Sequence, residues 1–427
     1  MSKPLVMCVN APFLTSTNTF NLGQELIRAL ENDNGSAVRH ILTYSQAELD
    51  CISAADLGQA LTICIQRGLD FYYVEIFKLR NARDIPANGQ WGLGSALIET
   101  VLMQDLRSLQ CIQSHPNFKH IQANGAWGLG SALEAHIGIL KEKCTAETGL
   151  PELNPAYLNS IIGHPHANQI QFQDAISDAI GDLLLLLAVQ SEKRFSDHDQ
   201  EVVIALLHEN VSHLIQSNGQ FGLGRVLLNA AYATTPFIVN AILNRPGALL
   251  INSATTHVNE TTQVEEDHGI RCFGFTEIIF AAVNNGGRAI DEPLQVQAQV
   301  VHSLLSFAGC HGKLLGVNNP FGLADSLTSA ASVNELLVPI LLNFPASNDI
   351  AANAQNDDDG SLSNALYNAS LVGYEQAMKC ILQHPNARQL STQNFQDAYS
   401  AADRANRVKA AELICFYWIG KQMLDQV

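Results

Sequence analysis

Basic residues are scarce: 24 Lys and Arg stand against 41 Asp and Glu, a formal net charge of −17 over 427 residues. A phosphate-backbone partner needs a basic surface, so nucleic-acid binding is not expected. Long apolar runs are missing too. None is longer than residues 183–189, well short of the roughly 20 residues that cross a bilayer, so no membrane span is expected. The nine cysteines include no Cys-x-x-Cys pair, and their odd number suits no closed disulfide set. Cys64 and Cys111 fall at apolar helical spacings and read as small core residues in a reducing compartment. The N-terminal stretch has one Lys and a short apolar run broken by Asn10 and Pro12, which is not a signal-peptide pattern. A cytoplasmic protein is expected.

What is present is a repeated phrase. Asn88-Gly89-Gln90-Trp91-Gly92-Leu93-Gly94-Ser95-Ala96-Leu97 is nearly copied at Asn124 to Leu133 and Asn218 to Leu227, and more loosely at Asn318 to Ala324. Recurrence within one chain is the signature of a repeat architecture. With 47% hydrophobic and 15% charged residues the chain has material for a continuous core. Anchors fall at Leu22, Leu57, Leu93, Leu129, Phe172, Leu223, Phe275, Leu323, Leu362 and Phe395. From each, apolar or small residues recur at +3, +4 and +7, one face of an α-helix. A second amphipathic segment follows, near residues 106–114, 236–244 and 374–383. These segments stop at His115-Pro116, His164-Pro165, Arg245-Pro246, Phe344-Pro345 and His384-Pro385, because proline disfavours helix at the residue before it. Asn-Gly, five residues before the anchor, is a preferred pair for a type I′ hairpin turn.

A unit of helix, turn, helix and β-turn finger resembles the ankyrin repeat. Ser95-Ala96-Leu97, Ser131-Ala132-Leu133 and Asn364-Ala365-Leu366 stand where that family has its Thr-Pro-Leu-His phrase. The intact tetrapeptide and its loop-bridging histidine are missing. The expected fold is all-α: an α-solenoid of about ten helical hairpins with short β-turn fingers, forming a single elongated repeat domain over 1–427. Its repeats begin near residue 20, and its enlarged units span about 129–322. Insertions at 141–153, 252–268 and 347–359 read as polar loops.

The motifs that could carry chemistry are weak. Gly89-x-x-Gly92-x-Gly94 lacks the Lys-Ser/Thr of a phosphate loop and recurs as architecture. His164-Pro165-His166 and the pair His115 and His120 have no zinc-type spacing. Asp357-Asp358-Asp359-Gly360 fails the calcium-loop pattern, with Leu366 where the bidentate Glu belongs. No metal or cofactor is expected. Cys272, near Arg271 and His268, and Cys310, followed by His311, are the candidate reactive thiols, since a nearby basic group lowers a thiol pKa. No third group is fixed for either, and an incidental cysteine is the preferred reading.

The partner-binding candidates are the aromatics two residues before the anchors: Trp91, Trp127, Phe221 and Phe321. They suit an interface, although rings that cover a neighbouring helix are the commoner case. The expected function is a protein–protein interaction scaffold with no assigned catalytic residue. The divergent units resemble ankyrin-type effectors of intracellular bacteria, which implies a host-protein partner and a host-cell cytosol. The competing expectation is an enzyme on the same scaffold, with a cysteine-based site in the enlarged middle units.

Overall fold

Seven of the ten anchors open a helix. Leu22, Leu93, Leu129, Leu223, Phe275, Leu323 and Leu362 are each the first residue of one in the computed structural model. It describes residues 21–145, 153–189, 196–251, 274–284, 294–313, 315–318, 321–353 and 360–424.

The reason lies in the first-turn N–H groups, which no helix can satisfy internally. Leu93 and Gly94 donate theirs to the carbonyls of Pro86 and Ala87, both at 2.9 Å. Leu129 and Gly130 donate to Gln122 and Ala123, Leu223 and Gly224 to Gln216 and Ser217, and Leu362 and Ser363 to Ala351 and Ala352. The loop before each helix is therefore its cap.

This corrects the expected β-turn fingers. No strand or bridge occurs among the described residues, which overturns the ankyrin-type α-solenoid with β-fingers. A type I′ turn requires positive φ at both central residues. Here only the glycine has it, with Gly89 at +97°, Gly125 at +98° and Gly219 at +108°; the preceding asparagines do not. The loop turns back onto the helix, and its carbonyls are consumed there instead of pairing with a second strand.

The chain divides into two compact units, Met1–Ile121 and Gln122–Val427. In the first, Leu22–Glu31, Ala54–Gln66 and Leu93–Met103 pack in chain order, while Asp70–Lys78 packs on Leu106–Ser114. In the second, one row runs Leu129–Thr145, Asp174–Ala188, Leu223–Tyr232, Phe275–Asn284, Leu323–Val333, Leu362–Val372 and Thr392–Arg404. The other row runs Ala156–Ile162, Asp197–Leu206, Pro236–Leu243, Leu294–Cys310, Leu337–Leu342, Glu375–Gln383 and Val408–Leu424. Small buried residues seven after the anchor, such as Ala230, Ala330 and Ala369, let neighbouring helices of a row approach.

Gly58 and Gly181 mark the closest approaches. A Cβ on Gly58 would lie 1.9 Å from the carbonyl oxygen of Trp91, and one on Gly181 would lie 1.9 Å from that of Phe221. The loop backbone thus rests on the preceding helix of the row, where any side chain would collide with it.

The proline stops lead into short 3-10 turns, Pro246–Leu250, Pro345–Asp349 and Pro385–Gln389 among them. Several of the 3-10 turns bury a small residue and, three later, a large apolar one: Ala82 and Ile85, Ala167 and Ile170, Ala248 and Ile251, Ala387 and Leu390; Phe118–His120 buries none of its own residues. Pro236 occupies the first turn of its helix, as the sequence predicts.

Two further expectations are corrected. Phe172 is exposed, and the core face of Asp174–Ala188 is carried by Ile176, Ile180, Leu183, Leu184 and Leu187, so the register sits one residue later, at Gln173. Residues 141–145 continue the helix Leu129–Thr145, and residues 347–349 belong to a 3-10 turn, so these two insertions do not begin as loops. The insertion at 252–268 lies outside the described residues.

Candidate functional site

Within each unit, asparagine and lysine side chains tie several layers to the one before. Asn81 donates to the carbonyls of Asp50 and Ile52 at 2.6 and 3.1 Å, and Asn117 to those of Arg83 and Ile85 at 3.3 and 2.9 Å. Asn386 repeats the geometry on Asn348 and Ile350, at 2.8 and 2.9 Å. Lys313 does so on Leu249 and Ile251 at 2.7 and 2.6 Å. Lys421 does so on Arg388, at 2.9 Å, and on Leu390.

The histidines of the stop signals complete the tie. Nε2 of His115 lies 2.7 Å from the carbonyl of Ala82, and Nε2 of His384 lies 3.0 Å from that of Ser347. Burial holds His384 below its ordinary pKa, partly offset by that carbonyl. The asparagines that open the repeated phrase add a second rung. Asn124 donates to Gln169 O and accepts from Gln171 N, while Asn318 donates to Asp349 O and accepts from Ala351 N. One amide side chain thereby mimics the paired contacts of a β-bridge.

Among the described residues no group of three His, Cys, Asp or Glu side chains is placed to hold a metal ion. No helix among them is long and apolar enough to cross a membrane.

The aromatic candidates lie on the capping loops. Trp91 is half-buried in the first unit. In the second, Trp127 is 36% exposed, Phe221 is half-buried, and Phe321 is 45% exposed. The ring of Phe321 meets that of Phe280, on the preceding helix of its row, edge-on at 5.2 Å. Phe321 also has φ +61°, a region costly for a bulky residue, and its N–H donates to Asp325 Oδ2 at 2.7 Å. Cys310 ends the helix Leu294–Cys310 with an exposed thiol. The ring of His311 lies 4.5 Å from that of Phe307. Cys272 lies outside the described residues.

The most exposed large apolar side chain among the described residues, Phe416, is elsewhere, on the last helix pair. Glu375–Gln383 is 9 residues long and stops at His384-Pro385, whereas Val408–Leu424 runs for 17 residues. At 1.5 Å per residue the difference is about 12 Å of helix. Earlier in this unit the 3-10 turn Pro385–Gln389 stacks on Pro345–Asp349. The last helix has no proline stop, so its second half crosses Pro385–Gln389 instead.

The result is a half-open groove of about 850 Å³. Leu382, Ala387 and Arg388 line one wall and Phe395 contributes from Thr392–Arg404. Phe416, Ile419, Lys421 and Met423 line the other. Phe416, Ile419 and Met423 stand three and seven residues apart, on one helix face, and are 74, 57 and 67% exposed. The sequence signal for this face is the run 413–419, apolar throughout and free of proline.

No protein-family model matches the sequence, and no curated protein is similar to it.

Proposed function

We propose that this chain is a protein-binding module and that its binding site is the groove under the last helix. One observation carries the reading: the exposed Phe416, Ile419 and Met423 stripe along an open apolar groove. Contiguous exposed apolar surface marks an interaction site. A stripe at helical spacing with a concave wall beside it suits a helix laid into a groove. Phe416 offers more exposed ring than Trp127, which supports the groove over the capping-loop aromatics as the site.

The test is a photo-crosslinking amino acid placed at Ile419 in the full chain, with a control at the exposed Gln393. Adducts specific to position 419, lost on Phe416→Ser with Met423→Ser and retained on Trp91→Ala with Trp127→Ala, are the expected outcome. Identical adducts from both positions, or adducts that depend on the tryptophans instead, would remove the groove as the site.

A further inference from the structure

We infer that the occupant of this groove is an acidic amphipathic helix from another protein; the inference rests on the docking reading above. The charged residues that line the groove are Arg388 and Lys421, both basic, in a chain whose acidic residues outnumber its basic ones by 41 to 24. The ammonium of Lys421 is directed to the Arg388 and Leu390 carbonyls. Arg388 is exposed on the opposite wall. A partner with apolar residues at the same three- and four-residue spacing and carboxylates on the flank meets both features at once.

Two other occupants fit less well. A two-fold contact between copies of this chain would face the patch with itself, bringing the Arg388 and Lys421 charges of both copies together. An anionic bilayer is flat where this surface is concave, and a net charge of −17 opposes its approach.

The experiment uses the full chain and fluorescence anisotropy with three labelled peptides of about 16 residues, long enough for four helical turns. All carry Leu at i, i+3 and i+7; the flanking positions are Glu, Gln or Lys. The Glu peptide is expected to bind about tenfold more tightly than the Gln peptide, and the Lys peptide most weakly. Arg388→Glu should reverse the order of the Glu and Lys peptides, and Phe416→Ser with Met423→Ser should lose all three while the far-ultraviolet circular dichroism is unchanged.

Equal binding of the three peptides would overturn the acidic partner and leave the docking groove standing. Binding of none would overturn both, as would sedimentation showing a dimer that the double variant dissolves. Association with phosphatidylserine vesicles in the absence of peptide binding would likewise overturn both.

Discussion

Asn386 donates its side-chain amide to the carbonyl of Ile350 at 2.9 Å, across 36 residues of chain, and to that of Asn348 as well. The same paired geometry is made by Lys313 and Lys421 in other layers. What the position requires is a donor that reaches two carbonyls, whatever side chain carries it.

Asn386→Ala should therefore destabilise the second unit by about 2 kcal/mol, at roughly 1 kcal/mol for each lost hydrogen bond. Asn386→Lys should lie within about 1 kcal/mol of the wild type, because a lysine already fills this role twice. Urea unfolding midpoints decide it. If Lys proves as damaging as Ala, the shared-donor account is wrong.

Gly181 should tolerate no side chain. Alanine there would put Cβ 1.9 Å from the Phe221 carbonyl oxygen, and the atom to be displaced is backbone rather than a flexible side-chain tip. A loss of about 3 kcal/mol is expected, at the upper end for overpacking. Gly138, whose added Cβ would meet nothing within 4 Å, is the control; alanine there should be neutral or stabilising, since it lies within the helix Leu129–Thr145. Equal effects at the two sites would show that the close approach is not maintained in solution.

His136 should make the second unit sensitive to acid. It is fully buried, neither ring nitrogen has a hydrogen-bond partner, and its ring lies 5.5 Å from that of Tyr157. Burial first, and the charge of Lys143 second, lower its pKa from 6.5 to about 4. The unfolded chain thus binds the proton more tightly than the folded one, so stability is fully present above pH 6.5 and falls as pH drops toward 4. The loss amounts to about 3 kcal/mol once both states are protonated, because each tenfold difference in proton affinity is worth roughly 1.4 kcal/mol. His136→Leu should remove this slope and raise stability at pH 7, because it deletes two unpaired polar atoms. Parallel stability–pH curves for the two proteins would contradict the prediction.

Thiol labelling should follow exposure. Cys51 and Cys310 are exposed and should react promptly in the native protein, whereas Cys64 is buried, with burial pushing its thiol up to about 12. Cys64 should label only on unfolding. Reaction at Cys310 well beyond the rate of Cys51 would reveal an activated thiol and favour a cysteine-based chemistry.

Helix starts and stops were legible because both are local. Leu93 and Leu223 open helices where a glycine-bearing loop meets an apolar residue, and His384-Pro385 ends one through its own sterics. The small-residue and Ile pattern of the 3-10 turns, as in Ala82 and Ile85, was equally present but has a period too short to stand out from the helices. Phe172 misled because an aromatic residue next to a helix start looks like a core anchor, whereas Ile176 and Ile180 bury more efficiently from the following turn. The apolar run 413–419 matched 183–189 in length, yet Leu183, Leu184 and Leu187 are buried while Phe416 and Ile419 are exposed. Composition alone does not tell these runs apart, since the difference is whether another helix covers them.

The sequence by itself determined that this chain is built of recurring helical layers with prolines and glycines at their joints, since periodicity and backbone sterics act within a few residues. Only the tertiary structure decided how neighbouring layers are joined. The carbonyls that a β-finger would have paired are taken up by helix N-termini, by Asn124 and Asn386, and by Lys421. Which acceptor a polar side chain finds depends on what the fold brings within about 3 Å, and the same contest leaves Phe416, Ile419 and Met423 uncovered at the last helix.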